Sequence, residues 1–439
     1  MAPGLRSALS LEQRAAAQAL EALATGQRLD AALARAYRTL DIPAASASAV
    51  RDMASHAARQ LGTCRALSQL LSPREPTPAV AALQWLGFSQ LIEPRRREAT
   101  IVDQTVEAAR SDPRTRAAAG FLNATLRAFL REPKRLLEQA RADPEGRWNH
   151  PRWWIEALRR DHPGQWQAIL EAAAEPPPLT LRINRRHTDA DDYLGRLAAL
   201  GMEGRRVGTD AVIVAPACSV HELPGWAAGW VSVQDEGAQR AALWLDVAPG
   251  QRVLDACAAP GGKSAHLLER EPIRLTAVEI DPERLERMAQ GLARLSLEAE
   301  LVCDDAAQPQ RWWNGEPFDR ILVDAPCTAS GIVRRAPDAR WLRRRSDLAT
   351  FAQSQRRLLD KLWPLLAPGG KLLYVTCSVF DAEGADVARS FLQDHADASE
   401  IALPEEEATL KRPGLQLLPV RLAQRDHDGF YYCLFRKRC

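Results

Sequence analysis

VLDACAAPGGKS, residues 253–264, is where a short apolar run gives way to a proline and two glycines and then to a helix-compatible segment. Its order reads as a strand, a tight turn and a helix start. Gly261 and Gly262 lack a Cβ, so the backbone can turn sharply there and let a ligand come close. A helix beginning near Lys263 would aim free N–H groups at that ligand. This is the arrangement of a nucleotide-like cofactor site at the carboxyl end of a parallel strand.

Two readings compete for it. Gly262-Lys263-Ser264 looks like the end of a phosphate-binding P-loop, but the glycine required five places before Gly262 is Cys257. No Mg²⁺-binding acidic strand stands at a convincing position either. The next apolar run, 275–280, carries Glu279 near its end, and Asp281-Pro282 opens a helix pattern. A carboxylate closing the second strand suits the hydroxyls of a ribose, as in dinucleotide and S-adenosylmethionine folds.

At 439 residues the chain has room for two or three domains. It has no run of about 18 apolar residues and no signal-peptide pattern, so a soluble cytoplasmic protein is expected. A monomer is expected as well. Eight cysteines are scattered without CxxC or Cys/His spacing, which argues against a zinc site and a disulfide framework and predicts no metal. The net charge of +2 conceals an asymmetry: residues 1–150 hold 21 basic against 15 acidic side chains, the remainder 37 against 41. An arginine-rich N-terminal third is compatible with binding RNA phosphates.

Apolar residues at i, i+3 and i+4 predict helices over 11–24, 31–40, 46–71, 79–92, 99–109 and 114–130, an all-α domain spanning 1–145. Arg95-Arg96-Arg97 and AGFLNATLR, 119–127, are its most distinctive stretches. A join punctuated by Trp and Pro follows, with strands at 179–184 and 211–215 around a helix at 191–200: a small α+β unit over 146–230. From 231 to 439 strands at 253–255, 275–279, 300–302, 321–324 and 371–376 alternate with helices, and 429–435 reads as a late strand. Repeated βα units predict a doubly wound, Rossmann-like, mostly parallel α/β sheet.

Two of the cysteines close predicted strands: Cys327 in Asp324-Ala-Pro-Cys, and Cys377 in Thr-Cys-Ser. A strand-end cysteine is ordinarily a small hydrophobe in the core. Two thiols at the edge that carries the cofactor turn, one of them three residues after Asp324, point to chemistry instead.

With these motifs in view, the chain resembles the RNA cytosine-5 methyltransferases, specifically the bacterial small-subunit rRNA methyltransferase B group (RsmB, also Fmu or Sun). The matching pieces are CAAPGGK at 257–263, DAPCTASG at 324–331 and TCS at 376–378, while the N-terminal helices are similar to a NusB-type RNA-binding domain. The resemblance implies methylation of a 16S rRNA cytosine, cytosine 967 in bacterial numbering, at C5. An enzyme must add a thiolate to C6 to make C5 nucleophilic, and must later expel it. The resemblance gives Cys377 as that nucleophile and Cys327 as the group assisting release; DNA cytosine methyltransferases attack with a Pro-Cys cysteine, which would nominate Cys327. Asp324 is placed for the amino and ring-nitrogen edge of the base, its plain alternative being a turn cap.

The implied S-adenosyl-L-methionine set is Cys257, Ala258, Ala259, Pro260, Gly261, Gly262 and Lys263, with Glu279 at the ribose, Asp305 rather than Asp304 near the adenine, and Asp324 lining the site. Glu279 stands where this group often has aspartate. Arg334, Arg335, Arg340, Arg343, Arg344 and Arg345 follow the Cys327 motif and are expected to contact RNA phosphates. The alternatives are the same chemistry on another rRNA or tRNA cytosine, and a non-catalytic RNA-binding assembly factor. A pure binder has no need of two thiols at the cofactor edge.

Overall fold

The computed structural model describes residues 8–404, 409–410, 413–422 and 425–438. Two compact units divide the chain: Met1–Glu175 with Val333–Arg345, and Pro176–Ile332 with Ser346–Cys439.

The first unit is helical. Its central helix, Leu9–Ala24, buries Ala15, Ala16, Ala19, Leu20 and Leu23, and small alanines let five other helices approach it. Pro78–Ile92 is apolar on nearly every side and is correspondingly buried. The single helix predicted over 46–71 is two, Ala44–Arg59 and Leu61–Leu71, parted at Gln60 (φ −104°, ψ 11°). The break lets Gly62 lie against the backbone of Glu145, where a Cβ would stand 2.3 Å from the carbonyl oxygen. The supposed join also carries helices, Arg152–Asp161 and Trp166–Ala174, and Trp148 packs edge-on against Trp166 at 5.3 Å within this unit.

The segment Val333–Arg345 belongs to this helical unit although it follows the Cys327 motif in sequence. Trp341 donates its indole N–H to Ala58 O (2.8 Å), and Leu29 N donates to Asp338 Oδ2 (2.9 Å). The guanidinium of Arg340, fully buried, donates to Ala173 O (2.8 Å), Val333 O (3.2 Å) and Asn149 O (3.4 Å). Arg334 is buried too, and its carbonyl accepts from Arg59 at 2.8 Å. The expectation that the arginine cluster faces RNA therefore fails for Arg334 and Arg340, which are packing elements; Arg344 and Arg345 are exposed.

In the second unit a four-stranded antiparallel sheet is formed by β1 (Leu179–Ile183), β2 (Glu203–Arg206), β3 (Ala211–Ala215) and β4 (Val231–Val233), in the order β2-β3-β1-β4. The helix Ala190–Ala199 crosses between β1 and β2, capped by Asp189, whose carboxylate accepts from the N–H groups of Asp191 and Asp192 at 2.9 Å.

Five parallel strands follow: β5 (Arg252–Ala256), β6 (Arg274–Glu279), β7 (Glu300–Cys303), β8 (Phe318–Asp324) and β9 (Leu366–Thr376). They lie in the order β7-β6-β5-β8-β9, so the chain reverses direction across the sheet between β5 and β8. Loops leaving these two strands part to opposite sides there, which opens the crevice that ligands use in such sheets. The sheet is extended antiparallel beyond β9 by β10 (Ala398–Ile401), β11 (Thr409–Leu410), β12 (Leu415–Leu417) and β15 (Phe430–Lys437); β13 (Val420–Leu422) and β14 (Arg425–His427) pair separately. The prediction of a mostly parallel sheet thus holds for its centre and gives way to an antiparallel edge. Among the described residues no helix is long and apolar enough to cross a membrane.

Candidate active site

The turn after β5 is built as its composition requires. Cys257 and Gly261 take positive φ (61° and 91°), and a Cβ on Gly261 would meet Met288 Cγ at 2.7 Å. Over Gly262 the space is open, the nearest atom to an added Cβ being Gln234 Nε2 at 3.7 Å. The helix Gly262–Arg270 starts here, and the first N–H groups of a helix have no intrahelical partner. Burial pushes the Cys257 thiol pKa up, which keeps it a neutral wall of the site.

Asp255, inside β5, lies in the opening stretch 253–264 but is not among the site residues expected from sequence. It is fully buried, accepts from Ser264 Oγ, and its other carboxyl oxygen has no protein partner among the described residues. Burial raises its pKa to about 7 against the pull of the Ser264 hydrogen bond. A carboxylate within the apolar run 253–256 was the available signal.

Glu279 closes β6 and is buried; it accepts from Ala259 N (3.3 Å) and Asp281 N (3.1 Å) and pairs with Arg284 at 3.2 Å. Arg284 also donates to the Ala259 carbonyl, so the carboxylate and the glycine turn are held as one piece. After β7, Asp304 pairs with Arg311 (3.2 Å), while Asp305 accepts from Ala307 N (2.9 Å) and Gln308 Nε2 (3.0 Å). Burial would raise the Asp305 pKa, but these hydrogen bonds prevail and hold it below the ordinary carboxylate range.

Asp324 ends β8 and accepts from Lys263 Nζ at 2.7 Å, which joins the two motifs at the sheet's reversal point. Burial disfavours the lysine charge, yet Asp324 outweighs it and raises the Lys263 pKa. The same ammonium lies within electrostatic reach of Cys377. Cys327 Sγ and Cys377 Sγ are 3.2 Å apart. Cys377 is partly exposed; Cys327 is buried, and its hydrogen bond to Cys377 together with burial holds its pKa well above the usual thiol value.

A buried arginine secures the glycine turn from the small sheet. Arg182 of β1 donates to both carboxyl oxygens of Glu269 (2.6 and 2.8 Å), to Gln234 Oε1 (2.6 Å) and to Gly262 O (2.8 Å). Its place in a strand gave no local sign of this role. The open space over Gly262 at the start of a helix, the half-satisfied Asp255 and the buried Glu279 together fit a cofactor with a cationic centre and a ribose.

Comparison with known proteins agrees with this geometry. Residues 242–436 match the family described as 16S rRNA methyltransferase RsmB/F, and 150–221 its ferredoxin-like domain. Ribosomal RNA small subunit methyltransferase B of Pseudomonas putida is 45% identical over 80% of this chain and 81% of its own length. The protein of that name from Vibrio cholerae is 40% identical over 87% of each. The chain belongs to the ribosomal RNA small subunit methyltransferase B family. S-adenosyl-L-methionine is accordingly its cofactor. Among solved structures, that of PH0851 covers 98% of this chain at a TM-score of 0.80 and 22% identity, a likeness of fold. NSun6 from Pyrococcus horikoshii with SFG covers 65% at 0.58 and 18% identity.

Proposed function

We propose that this member of the family methylates C5 of a cytosine in 16S ribosomal RNA, by resemblance cytosine 967, through a transient bond between Cys377 and base C6. The observation that carries the reading is the 3.2 Å approach of Cys327 and Cys377 beside the Lys263–Asp324 pair. Within this reading, residues 1–145 bind RNA, 146–230 connect, and 231–439 catalyse.

The turn 257–263 would hold the cofactor with Glu279 at the ribose, Asp305 near the adenine and Asp324 along the wall. When bound, S-adenosyl-L-methionine supplies an electrophilic methyl group on a sulfonium. Cys377 is the more accessible sulfur and adds to C6 as the nucleophile, moving electron density onto C5. Asp324 takes the amino and ring-nitrogen edge of the base, with Lys263 fixing its carboxylate. Product release needs loss of the C5 proton and cleavage of the C6–S bond, which Cys327 assists from its place against Cys377.

The test supplies labelled S-adenosyl-L-methionine and deproteinised 16S rRNA and maps the modified base. Cys377→Ala loses transfer, and Cys327→Ala accumulates a protein–RNA adduct. Methylation of tRNA alone would refute the substrate, and cofactor binding without transfer to any RNA would leave a non-catalytic binding factor.

A further inference from the structure

Glu383 is buried in the short turn Asp381–Glu383. One carboxyl oxygen accepts from Thr328 N at 2.8 Å; the other accepts from Thr328 Oγ1 at 2.5 Å and Ser378 Oγ at 2.6 Å. Thr328 and Ser378 directly follow Cys327 and Cys377. One side chain therefore grips the residue next to each thiol, across loops about 50 residues apart. Its own carbonyl accepts from Tyr374 OH (2.7 Å) and Thr376 Oγ1 (3.3 Å), which seats it on the strand that ends in Cys377. The clasp extends through Ser330 Oγ, 2.9 Å from Ser378 Oγ and accepting from Val379 N at 2.8 Å.

We infer that Glu383 is a positioning residue that sets the separation of the two thiols, and thereby the hand-over from adduct formation to product release; this rests on the two-cysteine reading above. Its reach matters more than its charge. Aspartate keeps the charge but is one methylene too short to hold both loops. Glutamine keeps the reach: its carbonyl takes the fixed Thr328 N–H, and the two hydroxyls can rotate to accept from its amide.

The experiment compares Glu383→Asp, Glu383→Gln and Glu383→Ala in the full chain. Readouts are methyl turnover, the fraction of RNA held as a denaturation-resistant adduct, and iodoacetamide labelling of Cys327 without RNA, read by peptide mass. Aspartate and alanine should lower turnover about 30- to 100-fold, as a misplaced reacting group does, with adduct accumulating as in Cys327→Ala. Both should label Cys327 at least about fivefold faster than wild type as its loop loosens, since reactivity follows access and thiolate content. Glutamine should stay within about threefold of wild type in all three readouts, since it keeps the hydrogen-bonding reach. Wild-type behaviour of the aspartate variant with failure of glutamine would overturn the inference in favour of a charge effect, and so would wild-type turnover and labelling in alanine. Should these variants not fold, Thr328→Val with Ser378→Ala cuts the same clasp; unchanged labelling and turnover there would also overturn it. Labelling needs no RNA, and retained transfer in a parallel Cys377→Ala sample would refute the covalent reading separately.

Discussion

Two buried arginines, Arg182 in the second unit and Arg340 in the helical one, meet the same problem with different partners. Arg182 faces a carboxylate in bidentate fashion, with Glu269 itself buried. Arg340 has backbone carbonyls of Ala173, Val333 and Asn149, and burial, assisted by Arg59, pushes its pKa down to about 9. The first solution neutralises charge and fixes a functional turn; the second ties together chain segments far apart in sequence. A side-chain partner can be removed along with the charge, whereas a carbonyl cannot.

Arg182→Met should be the most damaging change, at about 3–5 kcal/mol of unfolding free energy, because it strands the Glu269 carboxylate in the interior. Adding Glu269→Leu should restore most of that loss in denaturant titrations. A double variant as unstable as the single would show that the arginine acts through Gly262 O and Gln234, not through its ion pair.

Asp255 sharpens the contrast from the acid side. Its folded pKa of about 7 lies above the ordinary 3.8, so the folded state keeps a proton that the unfolded chain releases. Stability from this group is therefore lost as pH rises from about 4 to 7, by up to about 4 kcal/mol for the cofactor-free protein. Measured against Asp255→Asn across that window, wild type should fall relative to the variant; parallel curves would mean that the carboxyl is ionised throughout.

Arg340→Met should cost about 2–3 kcal/mol, since three carbonyls lose a charged donor. No second substitution in its partners can compensate. The exposed Arg344 and Arg345 complete the series: changing both to Ala should alter stability by less than about 0.5 kcal/mol. If they touch phosphates, the same change should lower the salt slope of RNA binding by about one for each phosphate they neutralise. An unchanged slope would remove them from the RNA surface.

What can be read from sequence follows the range of the interaction. The βα alternation, the glycine turn and the acid closing β6 depend on neighbours a few residues away, and the structure reproduces them. Cys327 and Cys377 can be brought to one edge because both end strands of one sheet, although nothing local gives their 3.2 Å approach. Glu383 carries no such sign, because its grip on Thr328 spans 55 residues without a local pattern. The helix break at Gln60 is hidden for a similar reason: the alanine-rich run favours continuity, and the close approach of Gly62 to the Glu145 backbone that goes with the break has no local pattern. Arg334 and Arg340 mislead because arginine is ordinarily exposed, and tertiary packing overrides that preference.

The helical unit ends its first stretch at Glu175 and is completed by Val333–Arg345. On a translating ribosome those two pieces emerge roughly 160 residues apart, a delay on the order of 10–30 s at bacterial elongation rates. During that interval the nascent helices lack Trp341 and the guanidinium of Arg340, and the carbonyls of Ala58 and Ala173 lack the partners they have in the finished chain. The helical unit is thus begun before the strands that separate its two pieces and finished after them.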